Sequence, residues 1–144
     1  MSIGKLKSVS VVGEALLSIG WDDGRVAPVD LGSSIAKRPA LASLSDPRVL
    51  AQVALAPDGW SLEWPGEIDF GAAQLRRWAD EQAGDAMPSA DFRAWVDARG
   101  LTPDHAADAL GLPHRTIALY LSGEQPVPKT VMLATEGYGR RAAA

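Results

Sequence analysis

No cysteine occurs among the 144 residues. That excludes disulfides, cysteine-ligated zinc and thiol catalysis, and it fits a reducing compartment. Histidine is nearly as scarce. The only two, His105 and His114, fall in different predicted helices, which leaves no sensible metal set. No apolar run is long enough to span a membrane. Lys5 and Lys7 precede an apolar stretch in the manner of a signal peptide, but Glu14 interrupts it and no small-residue cleavage site follows cleanly. That segment reads as a strand, and the chain as cytoplasmic with no membrane contact. Catalytic signatures are missing as well: no nucleophile elbow, phosphate loop or zinc-protease helix. The carboxylates Asp22, Asp23, Glu63, Glu67 and Asp69 mostly fall in predicted turns and on exposed strand faces, where a carboxylate is usually just solvated. No enzyme activity and no cofactor are expected.

What is present is an ordinary globular composition, 47% hydrophobic, in a length that suits one domain or two very small ones. The net charge is −4, and its distribution is uneven. Residues 1–88 carry 12 acidic and 8 basic side chains, whereas residues 89–144 carry 6 of each. The acidity therefore lies in the first part. The second part is neutral, which permits contact with nucleic acid without advertising it.

The first half has strand grammar. Apolar residues alternate from Leu6 to Val12, and a second apolar run spans Ala15 to Trp21. Asp22-Asp23-Gly24 then predicts a hairpin, because glycine tolerates the positive φ of a tight turn. The return strand runs from Arg25 to Asp30, with Pro28 marking a free edge. Ser45-Asp46-Pro47 predicts a short helix start, and Asp58-Gly59 predicts a second hairpin with Trp60 to Trp64 as its return strand. The expected core is Leu17, Ile19, Val26, Val29, Val53, Leu55, Leu62 and Trp64, with Trp60 in register beside Trp64. Residues 72–82 predict a helix, on which Leu75, Trp78 and Ala79 share a face, and residues 84–88 a linker.

From Ser89 the period becomes helical. Phe92, Trp95 and Val96 share one face, and Gly100 is placed to end that helix. Thr102 is a natural N-cap, followed by Pro103 and Asp104 in the first turn and by Ala106, Ala107 and Leu110 on an inner face. Gly111 suits a tight turn, with Leu112 beneath it. Pro113 opens a helix whose Ile117, Tyr120 and Leu121 face inward. Gly123 ends that helix. Residues 125–128 read as an extended connector, and Lys129 to Thr135 as a last short helix.

The run LTPDHAADALGLPHRTIALYLSGEQPVP, Leu101 to Pro128, resembles the lambda-repressor-like, Xre-type helix-turn-helix family. The pieces WDDGRVAPVDL, LSDPRVLAQVAL and WSLEWPGEIDF resemble a set of uncharacterised bacterial proteins. In those, a small β-rich domain of unknown function precedes such a motif and is sometimes encoded beside a toxin-like partner. The expected fold is therefore α+β. A β-rich domain over residues 1–83, with one or two short helices and a linker helix at 72–82, would precede an all-α helix-turn-helix domain over residues 89–144.

The resemblance implies a transcriptional regulator that binds double-stranded DNA as a homodimer, with the helix at 113–122 in the major groove. It places His114, Arg115 and Leu119 at base contacts, Arg115 being suited to O6 and N7 of guanine. Thr102, Thr116, Ser122 and Lys129 fall at phosphate contacts. Arg115 is otherwise an ordinary solvated arginine, Leu119 a packing or interface residue, and His105 a first-turn residue. The alternative function is an antitoxin-like or interaction protein that binds a partner through its acidic first domain.

Overall fold

Alternating apolar residues put Leu17, Ile19, Trp21, Ala27 and Val29 on the buried face of a three-stranded antiparallel sheet. Its strands are β1 (Leu6–Gly13), β2 (Leu16–Trp21) and β3 (Val26–Asp30), in that order. The β2–β3 turn closes through Gly24, at φ 93°, with the Trp21 N–H donating to Arg25 O at 2.9 Å. The chain then coils through α1 (Gly32–Lys37), a 3-10 helix (Pro39–Ser45) and α2 (Pro47–Leu50). A second antiparallel sheet follows, of β4 (Ala54–Leu55), β5 (Ser61–Trp64) and β6 (Ile68–Gly71), and then the helix α3 (Ala72–Gln82). The computed structural model describes residues 4–143, with side chains to residue 141. It divides into two compact units, Met1–Gln82 and Ala83–Ala144.

In the first unit α3 is strapped to the β2–β3 hairpin. Leu75 and Ala79 are buried, and Phe70 packs edge-on against both Trp64 and Trp78, at 5.6 and 5.2 Å. The buried Trp21 indole N–H donates to Ala72 O at 3.3 Å. Gln82 closes the far end by exchanging two hydrogen bonds with the Asp30 backbone, at 2.8 and 2.9 Å. Arg25 meets Asp80 at 2.7 Å and Arg76 meets Asp23 at 3.0 Å.

The second unit contains β7 (Ala86–Met87), α4 (Ser89–Ala98), α5 (Pro103–Leu110), α6 (His114–Ser122), β8 (Val127–Pro128) and α7 (Lys129–Ala143). Its core is Phe92, Val96, Ala106, Ala107, Ile117, Tyr120, Val127 and Val131. Phe92 meets Tyr120 edge-on at 5.6 Å. No helix of the described residues is long and apolar enough to cross a membrane.

The expected fold, a β-rich domain followed by an all-α helix-turn-helix domain, is overturned. Among the described residues, three small antiparallel sheets are spread along the chain, with helices throughout. The third sheet lies in the second unit, where Ala86 pairs with Pro128 and Met87 with Val127. Residues 84–88 are thus no open linker, and the extended connector at 125–128 is in part a strand. The cause is proline: Met87 precedes Pro88, and Val127 lies between Pro126 and Pro128. A residue before proline is driven out of the helical region into extended backbone. In the first unit the serine-rich stretch at 32–45 carries no clear period, yet it coils because Leu31, Leu41 and Leu44 all enter the core.

Smaller expectations also move. Val26 is 68% exposed, and Leu55 and Trp60 face solvent instead of the core, with Lys5 over the Trp60 ring at 5.6 Å. Val53 is only partly buried. α7 runs on past Thr135 through Gly137 and Gly139, where Arg99 packs over Tyr138 at 5.4 Å and over Trp95 at 5.6 Å.

Asp23 ties the hairpin to pH. The Arg25 backbone N–H, and after it the Arg76 guanidinium, hold its carboxyl below the usual carboxylate range. A carboxylate depressed in the fold adds stability above its unfolded pKa and loses it as pH falls through the folded value. Asp23→Ala should therefore lower the urea midpoint of the first unit at neutral pH. The gap to the unaltered chain should narrow below about pH 4. A gap that stays constant through that window would show that the carboxylate charge does not matter.

Candidate functional site

The site is built from two short helices and the glycine between them. Thr102 caps α5, its hydroxyl accepting from the His105 N–H at 3.1 Å, with Pro103 at the first helical position and Asp104 in the first turn. α5 stops at Gly111, which is left-handed at φ 67° and ψ 35°. Leu112 N–H returns to Ala107 O at 2.9 Å and Gly111 N–H to Asp108 O at 3.3 Å. This pair of bonds reverses the chain while satisfying the last carbonyls of the helix. Leu112 then packs, half-buried, against the core. Ala106 and Ala107 are buried at the crossing, where only a small side chain lets the two helices approach.

α6 begins after Pro113 and buries Ile117 and Tyr120, with Leu121 packed beside them. Burial raises the Tyr120 hydroxyl pKa. The helix ends at Gly123, φ 83°. The Arg93 guanidinium on α4 donates to the Leu121 carbonyl. A cation there satisfies a last-turn carbonyl and opposes the negative end of the helix dipole.

The outward face of α6 is His114, Arg115, Ala118 and Ser122, all exposed. Arg115 makes no ion pair among the described residues. His114 Nδ1 lies 2.8 Å from Asp104 Oδ1 across the turn. Leu119 is half-buried on the flank of this face, and Thr116 is half-buried near the helix start. Ser122 is occupied locally, donating to Leu119 O at 3.1 Å and accepting from the Glu124 N–H at 3.3 Å. Lys129 is exposed at the start of α7, 3.7 Å from Asp85. Thr102 is exposed, but its hydroxyl is engaged in the cap.

His114 and Arg115 thus share one accessible surface, while Thr102, Ser122 and Lys129 already have local partners. Two contributors escaped the sequence reading. Asp104 appears there only as a dipole-complementing residue, and its approach to His114 follows from the turn geometry. Arg93 lies in another helix, with no spacing signal linking it to α6. No group of acidic, histidine or cysteine side chains among the described residues is arranged to hold a metal.

A family model described as protein of unknown function DUF2442 matches residues 6–81. The chain belongs to that family, and the first unit carries the match. It is also similar to a solved structure, that of a candidate DNA-binding protein of Nitrosomonas europaea. The two are 34% identical over 94% of this chain and 86% of that one, with a TM-score of 0.56. Comparison with the curated proteins gives no match.

Gly111 is the testable hinge of this arrangement. An added Cβ would meet no atom within 4 Å, so the cost of a substitution is conformational alone. Gly111→Ala should destabilise the second unit by about 1–2 kcal/mol, and Gly111→Asn by less. Hydrogen exchange at the Ile117 amide reads the change. Equal protection in all three chains would remove the left-handed turn as the constraint.

Proposed function

We propose that this chain binds double-stranded DNA and regulates transcription, with α5 and α6 acting as a helix-turn-helix and α6 entering the major groove. The observation that carries this reading is the outward face of α6, with an exposed, unpaired Arg115 on the side opposite the buried Ile117 and Tyr120. The DNA binding named for the Nitrosomonas europaea protein supports it. In this reading α6 follows the Xre-type pattern. Arg115 reads guanine through its two parallel donors. His114 touches an adjacent base edge, and Leu119 contacts a thymine methyl from the flank of the helix. Thr102, Thr116, Ser122 and Lys129 face phosphates. Lys129 exchanges Asp85 for a phosphate on binding.

One copy offers few cations, because the second unit holds only six basic side chains against seven acidic ones. A homodimer on a two-fold site doubles the contacts and sets the half-site spacing. The bound species is accordingly a homodimer.

A second reading draws on the acidic first unit. Glu63 stands directly opposite Asp69 across β5 and β6, and Glu67 lies in the turn that joins them. Like charges facing each other across a ladder are unfavourable unless a cationic partner covers them. A toxin-like protein with a basic surface is such a partner. The two roles are compatible in one chain.

Selection from a randomised duplex library, followed by gel-shift titration, tests the first reading. Arg115→Ala should weaken the selected site by about 1–3 kcal/mol and relax its guanine. Lys129→Ala should weaken all duplexes alike and lower the salt slope by about one. Binding indifferent to both salt and Arg115 would sink the assignment of α6.

A further inference from the structure

His114 and Asp104 stand at the starts of successive helices, joined through the Gly111 turn. The imidazole Nδ1 is 2.8 Å from Asp104 Oδ1, and the two side chains are 63% and 74% exposed. An ionised carboxylate only accepts hydrogen bonds, so the ring nitrogen facing it carries the hydrogen. In a neutral imidazole one nitrogen donates and the other accepts, and the bond made by one fixes the state of the other. With the hydrogen on Nδ1, Nε2 is left as a bare acceptor. It has no hydrogen-bond partner among the described residues.

We propose that Asp104 is a positioning residue that sets the hydrogen-bond sense of His114, so that His114 reads an exocyclic amino group. The inference rests on α6 entering the major groove, as argued above. In that groove adenine presents its N6 amino group and cytosine its N4 amino group, whereas guanine N7 and O6 and thymine O4 only accept. An acceptor at Nε2 therefore selects adenine or cytosine and rejects guanine and thymine. A phosphate, itself an acceptor, is rejected on the same ground. Arg115, next in the chain, can only donate. Two adjacent side chains of opposite hydrogen-bond sense then specify two neighbouring bases. The Asp104 charge beside the ring reinforces this by disfavouring phosphate approach.

The test uses the full chain and two independent readouts. With only two histidines, the imidazole nitrogens resolve cleanly by 15N-correlated NMR at pH 8, where an ordinary imidazole is neutral. His114 should show hydrogen on Nδ1 and none on Nε2. Asp104→Ala should move the hydrogen to Nε2, with His105 unchanged as the internal control. In parallel, a randomised duplex library is selected with the unaltered chain and with three variants. The unaltered chain should enrich adenine or cytosine beside the guanine that depends on Arg115. Asp104→Ala should turn that position toward guanine or thymine, by about fivefold, the worth of one hydrogen bond. His114→Ala, which neither donates nor accepts at the base edge, should erase the preference there and keep the guanine.

Hydrogen on Nε2 in the unaltered chain overturns the proposal. So does an enriched base that ignores Asp104→Ala while Arg115→Ala still relaxes the guanine, and in that case DNA reading by α6 stands. If the unaltered chain and Arg115→Ala both enrich nothing, the DNA reading itself falls and the role of Asp104 falls with it.

Discussion

The left-handed backbone at Gly111 decides where α6 points. A right-handed residue there would prolong α5 and carry Leu112 and Pro113 away from the core. With Gly111 reversed, the N–H groups of Gly111 and Leu112 close on the last carbonyls of α5, and Leu112 drops beneath the turn. Ile117 and Tyr120 are then delivered to Phe92 and Val96, which leaves His114 and Arg115 outside. The approach of His114 to Asp104 is a further result of the same reversal. It joins the first turns of two helices that are ten residues apart in sequence.

Proline supplies the second constraint, and it shapes the second unit in a way hydrophobic periodicity does not record. Pro88 and Pro128 hold the preceding Met87 and Val127 extended. Two extended segments with unsatisfied backbone groups gain by pairing, and Val127 is buried as they do so. The first unit depends on a different device. There Trp21, Arg25, Asp30 and Gln82 fasten a helix to a hairpin through side-chain and backbone hydrogen bonds. Buried apolar area holds the pieces together, and these polar contacts select the register in which they meet.

Much of the local structure was legible in the residues. Asp-Gly turns marked two hairpins, and Thr102-Pro103 and Gly111 marked the ends of α5. The apolar spacing of Phe92, Ile117 and Tyr120 marked buried faces. What escaped was short or non-local. β6 is four residues long, after a turn in which Glu67 takes positive φ without being glycine, so nothing in its composition announced a return strand. β7 and β8 have two residues each and are separated by nearly forty positions. Val26 obeys the alternation of a strand yet lies outside the core, because alternation says that two faces differ and not which one is covered, whereas Trp60 shares the parity of the buried Leu62 and Trp64 but precedes β5. In the candidate site, the exposure of His114 and Arg115 followed from helical spacing. The partners of Ser122, Lys129 and His114 did not, because each is set by a turn or a neighbouring element.

The small ladder of β7 and β8 has one more consequence. The chain leaves β7 for α4 and returns from α6 into β8, so the three helices hang from two neighbouring strands about 4.8 Å apart. A segment whose two ends lie that close can be spliced into the turn of an unrelated hairpin without stretching its host. The ladder is in that sense a socket, and the helices plugged into it are completed by α7, whose Val131 enters their core.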